Sequence, residues 1–426
     1  MSDRARAGIS AWGSLLAASS WAIAAGLTGI VPNDWPAECA APVVVPLPAR
    51  PPAPGRCMIE LKIAEQSEAT LLPAQTEPAD SAGRTPARAW FFWSAKESDR
   101  GKRAAVRFLP FVPLRPNSAD FPDSAYRSGH DDPMLHITTA ENKPILSYWH
   151  GPPSSGQRYP LNDFIHRLIG LDGEILTACS PADHVHHRGV FWAWVRHERR
   201  GQSLGDWWAP RNIHAEPGAL EYHDGPVFTR FVARHFWVHQ PQGAERGDRF
   251  VEEQVICRVF KTTADGRALD IDLTLTALDD GVGIGGTLSQ NKGYGGMTIR
   301  FGRAKGVKLE TDQGAVEEET VNHLRALWVD WSGRFVGPDG KDLPHRSGAA
   351  LLVNLAHPDL PPEWITRKYG PINVSYPGLN MLEIGQNRPL QLRYRIWIHR
   401  GDAKGGKVNA YYRAYAADWK WTAGHR

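Results

Sequence analysis

From about Ala89 onward, apolar and polar residues alternate in short runs separated by Gly, Pro, Asn and Asp. Successive side chains leave a strand on opposite faces, so this period of two predicts strands. In Ala268 to Ala277, Leu269, Ile271, Leu273 and Leu275 share one face, and Asp270, Asp272, Thr274 and Thr276 share the other. Leu390 to His399 repeats the pattern, with Leu390, Leu392, Tyr394, Ile396 and Ile398 opposite Gln391, Arg393, Arg395, Trp397 and His399. Both predict one face on a core and one in water. Further strand-like runs occupy Phe228 to Val238, Val251 to Phe260 and Ala349 to Leu355. Only Tyr411 to Trp421 suggests a short helix, and no fixed-period repeat points to a propeller. The predicted fold is all-β, a large antiparallel β-sandwich over residues 89–426.

The front of the chain differs. Arg4 and Arg6 precede the uncharged run Ser14 to Val31, a pattern that predicts an export signal over residues 1–31, with an uncleaved membrane anchor as the alternative. Export would place the protein in the periplasm or outside the cell. Residues 32–88 are crowded with Pro and Ala, including PLPARPPAPGR, and predict a linker with one short strand near Cys57 to Ala64. Export would permit a Cys39 to Cys57 bridge, while the absence of any CxxC pair argues against a cysteine-built zinc site.

Charge narrows the partners. The 426 residues carry 49 basic and 46 acidic side chains, a balance that disfavours nucleic acid. GVGIGG at Gly281 to Gly286 satisfies the dinucleotide fingerprint in letters, but no helix pattern follows it, so it is read as a hairpin turn. The sequence has no P-loop, HExxH or GxSxG motif.

Candidate chemistry centres on DHVHHRGVFWAW, Asp183 to Trp194. If the segment is extended, His184, His186 and Arg188 face one side and Asp183, Val185 and His187 the other. Three readings stand: a metal site, a metal-free acid/base site, and structural histidines. A divalent or copper ion would need a ligand beyond His184 and His186, with His214 as the candidate and His357 or Glu383 as other distant groups. Arg188 suits an oxygen-rich ligand through its planar fork. GDWW follows, and an indole beside Asp206 suits carbohydrate, which offers apolar ring faces and hydroxyl edges.

Together with YRSGHDDPMLHI (Tyr126 to Ile137), NKGYGGMTIRF (Asn291 to Phe301), WVDWSG (Trp328 to Gly333) and NLAHPDLPPEWITRKYG (Asn354 to Gly370), these motifs resemble the PmoA-like proteins, catalogued as methane oxygenase PmoA. The resemblance runs from about Ser94 to Tyr415. Val185 departs from a Pro frequent in that family, and Asn354 to Ala356 from a more acidic strand end. The resemblance implies a galactose mutarotase-like supersandwich and exported carbohydrate processing by a hydrolase, lyase or epimerase. In that reading His184, His186, Asp206 and Glu383 are catalytic, while His187, Arg188, Trp192, Trp208, Lys292, Arg300, Asp330 and His357 bind substrate. The family label implies instead a metal-dependent oxidoreductase with His184, His186 and His214 as ligands. A non-catalytic glycan-binding protein is the third alternative.

Overall fold

The alternating runs pair into four antiparallel sheets in a computed structural model that describes residues 26–37, 39–47, 54–79, 86–109, 111–115, 117, 124–154 and 159–423. The protein is all-β. One nine-stranded sheet runs in the order Ile213–His223, Phe228–His239, Asp248–Phe260, Gly266–Ala277, Leu390–Arg400, Ser347–Val353, Trp328–Arg334, Lys305–Thr311 and Gly314–Val316. A second nine-stranded sheet includes Pro144–Trp149, Phe164–Leu168, Val190–Ala193 and Gly296–Arg300 as neighbours in its centre. Their facing sides share one core containing Leu269, Ile271, Leu273, Trp192 and Trp237.

The segment from 32 to 88 is not a linker. It contributes Ala41–Pro46, Gly55–Ile63 and Thr70–Glu77 to an eight-stranded sheet that also takes Leu27–Ile30, Arg88–Trp93, Arg103–Phe108, Val112–Pro113 and Thr422–Ala423. The prolines within these strands sit where a missing N–H breaks no ladder bond. Pro42 and Pro46 lie on the edge strand, and Pro73 lies where Thr70–Glu77 is paired on one side only. Gly55–Ile63 alternates strictly between buried and more exposed positions. The expected export signal falls mostly on residues 1–25, outside the described residues, while the end of that apolar run forms the strand Leu27–Ile30. Among the described residues, no helix is long and apolar enough to cross a membrane. Cys57 is a free thiol, so the Cys39 to Cys57 bridge is not made.

This third sheet covers the outer side of the first nine-stranded sheet. Trp90, Val43 and Phe91 pack there against Phe228, Phe260, Leu352 and Trp397, together with the helix Val408–Ala416, which starts earlier and ends sooner than the sequence suggests. The side of Gly266–Ala277 predicted to be wet is therefore covered at Asp270 and partly exposed from Asp272 to Thr276, and its charges are paired. Asp270 accepts from Arg395 at 2.6 and 2.9 Å. Asp272 accepts from Arg258 at 2.9 Å. Glu77, from the supposed linker, receives Arg88, Arg258 and Trp90 at 2.7–2.9 Å and lies 2.9 Å from Arg230. Burial opposes the Glu77 charge, but the three guanidiniums hold its carboxyl well below the usual range.

GVGIGG does not form a hairpin turn either. Val282–Gly285 is an interior strand of a four-stranded sheet, between Arg196–Arg199 and Met381–Ile384. Gly286 is required by close backbone approach: a Cβ there would sit 2.0 Å from the Gly293 carbonyl oxygen.

Candidate functional site

The histidine-rich segment is not extended. His184 N–H donates to the Pro181 carbonyl at 3.0 Å and His187 N–H to the His184 carbonyl at 2.9 Å, giving two successive turns. Ser180 and His187, then Gly189 and Ala178, close a backbone hairpin beneath them. Gly189, two residues past the second turn, has φ +62°, and a Cβ there would meet the Ile165 carbonyl oxygen at 2.1 Å. The turns gather three imidazoles that a strand would have separated. The His184 and His187 rings stack at 4.7 Å and 18°, His186 meets His187 edge-on at 4.7 Å, and His184 and His186 lie 5.9 Å apart.

Asp183 orients the outermost ring. It accepts Nη2 of Arg300 at 2.8 and 2.7 Å and contacts Nδ1 of His184 at 3.0 Å. Desolvation would raise its pKa, but the His184 and Arg300 hydrogen bonds hold it at about 2. With Asp183 ionised, the contact to His184 is one in which Nδ1–H donates and the carboxylate accepts, and Nε2 is the ring nitrogen not bound to Asp183. Tyr369, 47% exposed, lies parallel to the His184 ring at 5.6 Å and 13°. His187 is buried beneath these groups, where desolvation and then the neighbouring His186 and His184 keep it neutral.

Arg188 is fully buried rather than turned toward a ligand. It donates to the Trp207 and Trp208 carbonyls at 3.3 Å each and lies over the Phe191 and Trp207 rings. It pins the GDWW turn against the histidine segment, with burial lowering its pKa to about 10. Trp208, 5% exposed, packs on His187, Phe191 and Tyr294, which leaves no face for a sugar. Trp192 is wholly buried and donates to Asp163 and Glu253. Asp206 accepts the Ala209 N–H at 3.0 Å, capping the same turn, and burial raises its pKa to about 6.

The remaining sequence candidates lie elsewhere. Asp330 is buried and binds Nε2 of His399 at 2.8 Å. His357 is buried between Tyr376 and Tyr394. Glu383 is exposed on the edge strand Met381–Ile384, Lys292 follows the three-residue turn Ser289–Asn291, and His214 is half-buried on Ile213–His223. The set His184, His186 and His214 does not converge as a metal site: among the described residues the one group with three ligand atoms within 4.8 Å is Asp163, His235 and Glu253.

Sequence reasoning missed that trio, because Asp163 just precedes the strand Phe164–Leu168, His235 and Glu253 come from two other strands, and no short motif joins them. It bolts the two nine-stranded sheets together inside the core. Trp192 Nε1 donates to Asp163 at 3.1 Å and Glu253 at 2.8 Å, Trp237 Nε1 to Glu253 at 2.7 Å, and Tyr148 OH to Asp163 at 2.7 Å. Burial and then the adjacent Asp163 charge push Glu253 well above the ordinary carboxylate range, so it is a neutral acid.

A cavity of about 830 Å³ opens beside the histidine turns. Asp183 and Arg300 form part of its wall, together with Tyr369, Trp331, Arg303 and Arg334. Of these, Asp183 and Arg300 fall in motifs marked from sequence, and Tyr369 and Trp331 lie inside quoted motifs without having been singled out. Arg303 and Arg334 lie just beyond two of the motifs and carried no signal of their own.

No curated protein matches the chain. An alpha-mannosidase structure from Enterococcus faecalis V583 is similar over 94% of this chain at 9% identity and a TM-score of 0.40, and the chain spans 46% of that protein's length. The resemblance to PmoA-like proteins is overturned by the family comparison: the model that matches the region carrying most of those motifs is a different one, so the oxygenase label falls away. Residues 137–413 match the model described as "Family of unknown function (DUF6807)", and the chain belongs to that family.

Proposed function

We propose that the protein is a carbohydrate-processing enzyme whose acid/base group is His184. The observation that carries this reading is the Asp183–His184 pair, in which Asp183 lines the cavity and His184 contacts both Asp183 and the cavity-lining Tyr369. A carboxylate ionised by Arg300 fixes the Nδ1 tautomer, and Nε2 is left to take or return a proton. Tyr369 adds a half-exposed ring at the same wall, of the kind that stacks on apolar sugar faces. Neutral His187 and the turn-pinning Arg188 keep the dyad in place as positioning residues. The apolar run behind Arg4 and Arg6 supports export as part of the same proposal.

The test is incubation of the purified protein with a panel of oligosaccharides, with products followed by mass spectrometry. Turnover of at least one member is expected, and His184→Ala should lower it by roughly 10²–10⁴-fold while the near-ultraviolet circular dichroism is unchanged. Undiminished turnover by His184→Ala, or no product from any saccharide, would refute the proposal.

A further inference from the structure

The cavity beside His184 carries a charge pattern that the acid/base reading does not use. Its wall holds five cations, Arg300, Arg303, Lys305, Arg334 and Lys368, against two carboxylates, Asp183 and Asp342. Both carboxylates are already committed. Asp183 is taken by Arg300, and Asp342 by Lys305 at 2.5 Å. Lys368 donates to the Glu317 carbonyl and has only the exposed Glu319 at 3.9 Å as a counter-charge. Arg303 and Arg334 have no carboxylate partner among the described residues. The excess at this one cavity equals the formal net charge of the whole chain, +3.

Position makes the excess meaningful. Arg334 ends the strand Trp328–Arg334 and is paired in register with Lys305, and Arg303 lies on the turn leading into Lys305–Thr311. Lys305 is neutralised by Asp342, which leaves Arg334 without a carboxylate of its own beside its register partner. The same cavity is floored by Phe301 and Trp331, stacked at 4.7 Å and 5°, and rimmed by Tyr369. An apolar floor, a half-exposed ring and two unmatched guanidinium forks suit a ring-shaped ligand that carries an acidic group.

We infer that the cavity takes an anionic saccharide, with its carboxylate or sulfate held by Arg303 and Arg334 and its ring near Tyr369. This inference rests on the carbohydrate reading of the site and names its substrate class. Lys368 adds long-range attraction, and Asp183 and Arg300 neutralise each other at the junction between anion subsite and base.

The test is calorimetric titration of the full-length protein with three probes: an oligogalacturonate, a sulfated oligosaccharide and a neutral oligosaccharide of the same length. At least one acidic probe should bind tenfold or more tightly than the neutral one, and the preference should weaken as salt rises. Arg303→Ala with Arg334→Ala should cost that probe on the order of 100-fold, taking roughly tenfold for each charged hydrogen-bonding group. Arg303→Lys with Arg334→Lys should recover part of the loss. The two acidic probes distinguish carboxylate from sulfate. Equal binding of neutral and acidic probes, or an unaffected double variant, overturns the inference. His184→Ala separates the two proposals. Acid-selective binding with no turnover of any saccharide sinks the enzymatic reading and leaves the ligand class standing, whereas turnover confined to neutral saccharides does the reverse.

Discussion

Replacing Glu77 by Gln tests whether the amino-terminal sheet is an integral layer of the fold. The carboxylate is 2% exposed and is the meeting point of Arg88, Arg230 and Arg258, with Trp90 Nε1 donating at 2.8 Å. Glutamine keeps the shape but removes the charge and turns an N–H₂ toward groups that can only donate. Removing one partner of a buried ionic set costs about 3–5 kcal/mol, because the remaining charges stay buried and uncompensated. With an unfolding entropy of about 2.1 cal/mol/K per residue over the chain, that loss corresponds to a fall in Tm of roughly 3–6 °C. Differential scanning calorimetry measures it directly. The pH dependence adds a second check. The folded pKa of Glu77 is depressed, so its stabilisation is fully present above the ordinary glutamate pKa and is lost only as pH falls below it toward the folded value. The gap between wild type and variant should therefore hold from neutral pH to about pH 5 and close only in stronger acid. A Tm within 1 °C of wild type at pH 7, taking ~1 °C as the resolution that separates a surface charge from a buried one, would refute the layer's role.

Other consequences are open to direct measurement. Gly189→Ala, at φ +62° with its Cβ 2.1 Å from a carbonyl oxygen, should cost on the order of 3 kcal/mol in a denaturant melt, and a loss below about 1 kcal/mol would contradict the close backbone approach described for it. Glu253 should show the infrared carbonyl band of a protonated acid at pH 7, absent from Glu253→Gln, and a spectrum with only ionised carboxylates would show that the core bolt is charged. Asp206 has its pKa raised to about 6, so its ionisation costs stability as pH rises from its unfolded value to about 6. Asp206→Asn should remove that component, leaving the Tm at pH 7 equal to or above wild type, and a clearly lower Tm would mean that the carboxylate is needed charged.

How much of this was legible in the sequence depended on the range of the interaction. Local alternation located Gly266–Ala277 and Leu390–Arg400 to within a few residues, because each strand's pattern is written in its own side chains. The same pattern misassigned their second faces. Asp270 and Arg395 look like solvent-facing residues until one knows that a third sheet covers them, and that sheet was hidden by prolines placed on edge positions. At the site, clustering singled out the histidine segment but set His187 on the face opposite His184 and His186. It could not show that two turns would replace a strand there, or that Arg188, Trp192 and Trp208 would be consumed by packing. Tyr369, Arg303 and Arg334 reach the cavity through tertiary folding alone.

The doubly covered middle sheet has a consequence for how the protein can be divided. Its outer side is built as one half of a permanent interface, with Arg230, Arg258 and Phe228 on one partner and Glu77, Arg88 and Trp90 on the other, carried on a single chain. A fragment limited to the family-matched residues 137–413 would retain the histidine turns but expose this interface, with Arg230 and Arg258 deprived of Glu77 and the aromatics wet. Any exchange of the amino-terminal sheet for another cover would have to bring a buried carboxylate to the same place, so the two parts can change sequence only together.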